Sequence, residues 1–196
     1  MDSTIRFYSE NADEFSRQYD SLSFAQVHGD WLHLLDEIPS GTQVLDIGAG
    51  SGRDARALAK RGLQVTAVEP AAALRALAQE KSAGINWVDD TLPDLESLDS
   101  RYGLVLVSAV WMHLNLFGQI ESLKRITELV EQNGYLILTL RHGTFADERE
   151  GHVLSEKHIL ESAEGLGLHL AFSTDNSDLL ERKDVRWQTL VFQNRA

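Results

Sequence analysis

The chain has 196 residues, a formal charge of −12 and no cysteine. That length suits one α/β domain, the missing thiols exclude disulfides, thiolate metal sites and cysteine nucleophiles, and the acidity disfavours nucleic acid as a partner. No apolar run reaches the length of a membrane span, and the polar start Met1-Asp2-Ser3-Thr4 is no signal peptide, so a cytoplasmic domain without membrane contact is expected.

Asn11-Ala12-Asp13-Glu14 has the form of a capping box and predicts a helix from about Asn11 to Tyr19. A second is expected from about Phe24 to Glu37, stopped by Pro39-Ser40-Gly41. Gln43 to Asp46 reads as the end of a buried strand, and Arg53 to Gly62 as a helix with Ala55, Leu58 and Ala59 on one face. Gln64 to Val68 is a second strand ending at Glu69, after which Pro70 opens a helix carrying Leu74, Leu77 and Ala78. Ile85 to Val88 is a short third strand. The unbroken run Leu104-Val105-Leu106-Val107 is that of a central parallel strand covered on both faces. A helix with Ile120, Leu123, Ile126 and Val130 leads through Asn133-Gly134 to a strand at Tyr135 to Leu140. Ser155 caps a further helix to about Glu164, and Leu168 to Ser173 and Val185 to Phe192 close the chain as strands.

The most informative stretch is Val44-Leu45-Asp46-Ile47-Gly48-Ala49-Gly50-Ser51-Gly52-Arg53-Asp54. A strand, three glycines at alternate positions and a helix N-terminus make a nucleotide-type site with free N–H groups. The dinucleotide fingerprint needs Gly or Ala where Arg53 stands. Asp46, two residues before the first glycine, is a poor neighbour for a pyrophosphate and a good one for a cation. Asp46-x-Gly48-x-Gly50-x-Gly52 resembles motif I of the class I S-adenosylmethionine (SAM)-dependent methyltransferases. SAM has no phosphate and carries a sulfonium and an ammonium.

The resemblance covers residues 40–196 and implies an α/β, Rossmann-like seven-stranded sheet flanked by helices, of order 3-2-1-4-5-7-6, with only the seventh strand antiparallel. Residues 1–39 would be N-terminal helices covering the site of this single domain. It also implies a cofactor site at the carboxyl ends of the strands. Gly48, Ala49, Gly50, Gly52 and Arg53 belong to the turn, with Gly48 and Gly50 close to the methionine part. Glu69, followed by Pro70, would accept from both ribose hydroxyls, facing the cleft. Asp89 or Asp90 would accept from the adenine amino group. Ser108 and Ala109 would offer backbone groups to the methionine part. Trp87 either flanks the adenine or sits in the core.

No metal is called for. SAM is an activated electrophile, so the enzyme mainly aligns a nucleophile, and alignment alone supplies roughly 7–11 kcal/mol. Cytosine C5 chemistry needs a cysteine, and the Asn/Asp-Pro-Pro-aromatic motif of amino-methylating enzymes is replaced by Ser108-Ala109-Val110-Trp111. Trp111, Met112 and His113 lie just beyond the fourth strand, with His113 the candidate catalytic base or else a structural histidine. Arg141, His142, Arg149 and His152 either hold an anionic group of the substrate or form a solvated loop neutralised by Asp147, Glu148 and Glu150. Tyr8 and Tyr19 either fold over the substrate or merely dock the helices. The reading is methyl transfer from SAM to a small-molecule acceptor. Its rivals are a protein or RNA methyltransferase, a nicotinamide-dependent oxidoreductase and a SAM-binding protein without catalysis.

Overall fold

The computed structural model describes residues 2–195. The element order is α1 (Asp2–Glu10), α2 (Ala12–Asp20), α3 (Phe24–His28), β1 (Gln43–Ile47), α4 (Arg53–Lys60), β2 (Gln64–Val68), α5 (Ala72–Glu80), β3 (Asn86–Val88), β4 (Tyr102–Ser108), α6 (Leu116–Leu129), β5 (Val130–His142), α7 (Glu156–Gly165), β6 (Leu168–Ser177) and β7 (Arg186–Asn194). Two 3₁₀ segments, Gly29–Asp36 and Trp111–His113, complete it.

The sheet runs β3-β2-β1-β4-β5-β7-β6, and β7 is antiparallel to both its neighbours. This is the order and the one reversed strand that the sequence resemblance implies. Alternation along the central strands sends their apolar side chains to opposite faces. Leu45, Ile47, Val105 and Val107 pack with Leu123, Ile126 and Ile159 of α6 and α7. Val44, Leu104 and Leu106 pack with Leu58 of α4 and with Trp31, Leu34 and Leu35 of the first 3₁₀ segment. A smaller cluster sets Ala12 and Phe15 of α2 against Ala71 and Leu74. It lays α1 and α2 beside α5, over the carboxyl ends of the strands. Among the described residues, no helix is long and apolar enough to cross a membrane.

Local expectations fail where a signal has a competing use. Asn11 caps nothing with its side chain; its Nδ2 donates to Phe7 O at 2.8 Å and closes α1, a helix the mostly polar sequence does not announce. The capping box lies at Ser23 and Gln26 instead. The helix expected to Glu37 is α-helical only to His28, and from Gly29 the chain tightens into a 3₁₀ segment that still buries Trp31, Leu34 and Leu35. Pro70 does not enter α5, which starts at Ala72 because the Ala71 N–H is held by Glu69 Oε1. Val130 leaves α6 and pairs with Tyr102 as the first residue of β5; the ladder resumes at Tyr135 opposite Leu104. Asn133, at φ 63°, lies within that irregularity.

Candidate functional site

The order 3-2-1-4-5 reverses between β1 and β4, where open parallel sheets bind ligands. After β1 the chain turns through Gly48, Gly50 and Gly52, all left-handed at φ 70°, 56° and 75°. At Gly48 a Cβ would collide with Val110 Cγ2, and the left-handed backbone also favours glycine. The Gly50 N–H donates to Glu69 Oε2 at 2.8 Å, and the Ala71 N–H donates to Glu69 Oε1 at 2.8 Å. One carboxylate therefore braces the turns after β1 and β2. Burial raises the Glu69 pKa, and the two N–H donors pull it back.

Asp46 ends beneath the turn, 1% exposed, and its Oδ2 has no partner. Burial first, and then the charge of Asp54, push its carboxyl well above the ordinary range, with Arg53 opposing. A cation above the turn would favour its charged form. Asp54 has the opposite character. It accepts from Arg53 Nε at 2.7 Å and Nη2 at 2.9 Å, and its Oδ2 lies 2.9 Å from His28 Nε2. Trp31 Nε1 can only donate, and it meets His28 Nδ1 at 3.2 Å, so the His28 hydrogen sits on Nε2 and points at Asp54. Burial alone would raise the Asp54 pKa; His28 and Arg53 hold it well below the usual carboxylate range. This buried chain of four side chains ties the N-terminal segment to the glycine turn. No local sequence signal marks it, because His28 and Trp31 look like helix core.

A cavity of about 350 Å³ opens above these elements. Gly48, Ala49, Gly50, Arg53, Glu69, Pro70, Ser108 and Ala109 all reach its wall, together with Tyr8 and Tyr19 from the roof. Of the two aspartates after β3, Asp90 faces the cavity, where it accepts from Thr91 N at 2.7 Å and Ser97 N at 2.8 Å. Asp89 stands outside, paired with Arg75 at 2.7 Å and mostly solvated. Gly52 lies behind the turn against Trp87, which stays in the packed layer and off the cavity wall. Ala109 adopts φ 58°, held by its N–H to Thr139 O and Oγ1, both at 3.1 Å. A left-handed alanine is strained, and strain of this kind gathers at functional sites.

The far end of the cavity is built from β4, the loop after β5, α1 and the loop before β7. His113 and Met112 line it, whereas Trp111 is 1% exposed in the core. Arg141 and Arg149 also line it, while His142 and His152 do not. The loop neutralises itself only in part. Asp147 chelates Arg149, with Oδ2 2.6 Å from Nη2, but Arg141 meets only the carbonyls of Gly143 and Thr144, at 2.9 and 3.1 Å. Arg141 is 6% exposed, and its Nε has no partner among the described residues. Phe145 stands between these groups, its ring centroid 4.2 Å from the Arg141 guanidinium and 4.3 Å from that of Arg149. Arg182 and Asp178, paired at 2.6 Å, complete the wall. They sit in an unremarkable charged loop, and only the antiparallel return of β7 brings them here.

A glycine turn at the switch point, an acid bracing it from β2 and a helical roof define the class: a Rossmann-like ligand site. The methyltransferase domain family model matches residues 44–134, which run from β1 to the bulge in β5. An uncharacterised methyltransferase of Alkaliphilus oremlandii is 25% identical over 146 residues, 67% of this chain and 66% of that protein. A probable SAM-dependent methyltransferase TehB of Haemophilus influenzae is 26% identical over 74% of this chain and 50% of its own length. The chain thus spans between half and two thirds of these relatives. Among solved structures, a TehB-like SAM-dependent methyltransferase of Corynebacterium glutamicum superposes with a TM-score of 0.73 at 20% identity, covering 94% of this chain and 98% of that one. In the stretch the family model matches and in its fold, this chain is similar to the class I SAM-dependent methyltransferases.

Proposed function

We propose that this chain transfers the methyl group of SAM to a small-molecule acceptor that carries an acidic group. SAM supplies an electrophilic methyl on a sulfonium. The residues fit it: the glycine turn lines the cavity, Asp46 keeps a buried oxygen unmatched, and Glu69 and Asp90 face the cavity, where they would accept from ribose and adenine. Ser108 and Ala109, at the end of β4, would meet the methionine part. A solved neighbour from Burkholderia thailandensis, a 1,6-didemethyltoxoflavin-N1-methyltransferase, holds its small acceptor and S-adenosylhomocysteine (SAH) at a TM-score of 0.73 and 18% identity. The observation that carries the reading is one cavity with this cofactor wall at one end and an incompletely matched cation, Arg141, at the other. A roof of α1 and α2 favours a small acceptor over a protein or RNA strand.

Calorimetry should show SAM and SAH binding, with no heat from NAD or NADP, since Arg53 occupies the third fingerprint position and is locked onto Asp54. Binding of NAD without SAM would overturn the reading. Once a metabolite screen for SAH release has found the acceptor, Arg141→Ala should raise its KM about 10- to 100-fold, the weight of one hydrogen bond to a charged group. The SAM affinity should stay near wild type. Arg149→Ala should raise KM less, because Asp147 already matches that charge. Sulfate should compete with the acceptor and not with SAM. A wild-type KM in both variants would make the loop a mere cover.

A further inference from the structure

The sequence singles out His113 as the candidate base, yet both its nitrogens are engaged. Nδ1 lies 2.7 Å from the Glu150 carbonyl oxygen, which can only accept, so Nδ1 carries the hydrogen. Nε2 is then bare and lies 3.1 Å from Tyr8 Oη, so the hydrogen between them belongs to the phenol. Arg149 Nη1 donates to the same phenol oxygen at 3.3 Å. The Tyr8 oxygen thus gives its proton to His113 and takes a hydrogen bond from Arg149, with the Tyr19 phenol as a further neighbour on the cavity wall. A ligand that meets this oxygen in exchange for Tyr19 has to be a donor. An acceptor molecule therefore meets the Tyr8 oxygen, while both His113 nitrogens are already engaged.

We propose that Tyr8 is the catalytic residue that receives the acceptor's proton while passing its own to His113, and that the atom methylated is a hydroxyl oxygen. This rests on the methyltransferase reading above. The acceptor oxygen forms its bond to the methyl carbon as the carbon–sulfur bond breaks and that electron pair stays on sulfur, leaving SAH neutral. Methylation makes the O–H strongly acidic, so its proton moves to Tyr8 Oη as the phenol proton moves to His113 Nε2. The positive charge that began on sulfur ends on an imidazolium whose Nδ1–H is held by the Glu150 carbonyl, and water removes the proton afterwards. An amine fits poorly. As an ammonium it is repelled by Arg141 and Arg149, and a histidine with its pKa lowered to about 4 by burial cannot deprotonate it. Against an oxonium-like transition state the same weak base suffices.

The test uses the full chain with SAM and four probes: 3,4-dihydroxybenzoate and 4-hydroxybenzoate, and the amines 3-aminobenzoate and glycine. Calorimetry of SAM checks the underlying reading separately, and loss of SAM binding in the wild type would sink both. With SAM bound, a hydroxybenzoate should be methylated on oxygen. Tyr8→Phe keeps the ring against Phe15 and removes only the hydroxyl. It should lower kcat about 100- to 1000-fold with KM and SAM affinity within about twofold. His113→Asn retains a donor for the Glu150 carbonyl and should show the same split. Nitrogen NMR of the imidazole gives a readout without turnover: a neutral Nδ1–H ring in wild type, with the Nε2 resonance shifted in Tyr8→Phe. A wild-type kcat in Tyr8→Phe, methyl transfer to the amines alone or to no probe, or an Nε2–H tautomer would each overturn the proposal.

Discussion

Glu69→Ala is expected to destabilise the ligand-free protein by about 3 kcal/mol and to weaken SAM by at least about 1.5–3 kcal/mol, the range for a hydrogen bond to a charged group. As a sequence feature Glu69 is an acid facing a cleft, whose loss the empty fold would tolerate. The structure assigns it a second duty. Its two oxygens accept from Gly50 and Ala71 at 2.8 Å each, and the side chain is buried. Alanine would leave both N–H groups without their acceptor and free the glycine turn from β2, so part of the loss in affinity would come from a turn no longer preorganised. Glu69→Gln keeps one acceptor oxygen and should recover part of the stability. Denaturant melts and calorimetry of the same two variants separate the effects. An unchanged melt in Glu69→Ala would mean that water replaces the carboxylate without penalty.

Acidification is expected to remove about 3 kcal/mol of stability through His113 alone. Its pKa falls from 6.5 to about 4 because burial disfavours the imidazolium; Arg149 and Arg141 add to this, and the Glu150 carbonyl opposes them. Between those values the unfolded chain binds a proton that the folded chain refuses, so stability falls as pH drops, by about 1.4 kcal/mol per unit. The contribution is fully present above about pH 6.5 and lost by about pH 4. Tyr8 faces the ring from α1. His142, lowered mainly by burial, acts in the same direction. Asp46 and Glu69, both raised mainly by burial, act in the opposite one, since their folded forms take up protons first. Asp54 and Asp178, both held low, lose their contribution only below about pH 4. The informative quantity is therefore the difference between wild type and His113→Asn in urea stability from pH 7 to 4.5. A constant difference across that range would place the imidazole in contact with solvent.

What the sequence determines by itself is the part whose physics is local or periodic. The run Leu104 to Val107 can only be a strand covered on both faces, and all four residues are fully buried. The alternate glycines after Gln43 to Asp46 demand a left-handed turn at a strand end, and the acid, Arg53 and the spacing count against a pyrophosphate site and resemble the methyltransferase motif. From these the sheet order follows by resemblance. The sequence is silent where one residue has two uses for its polar atoms. Asn11 stands at the start of α2 as its sequence suggests, but its side chain is spent on the Phe7 carbonyl at the end of α1. Asp89 and Asp90 are chemically identical neighbours, and only the presence of Arg75 beside one of them decides which faces the cavity. For the far end of the cavity the sequence names Tyr8, His113, Arg141 and Arg149 as candidates, but how they meet is a product of tertiary structure. Tyr8 and His113 are 105 positions apart, on α1 and beyond β4, and no periodicity relates them. Folding of α1 over the sheet edge brings the phenol to the imidazole, and the loop after β5 supplies the carbonyl that sets the tautomer. Periodic patterns encode which face is buried, but the direction in which a proton is shared depends on what stands on the other side of the ring.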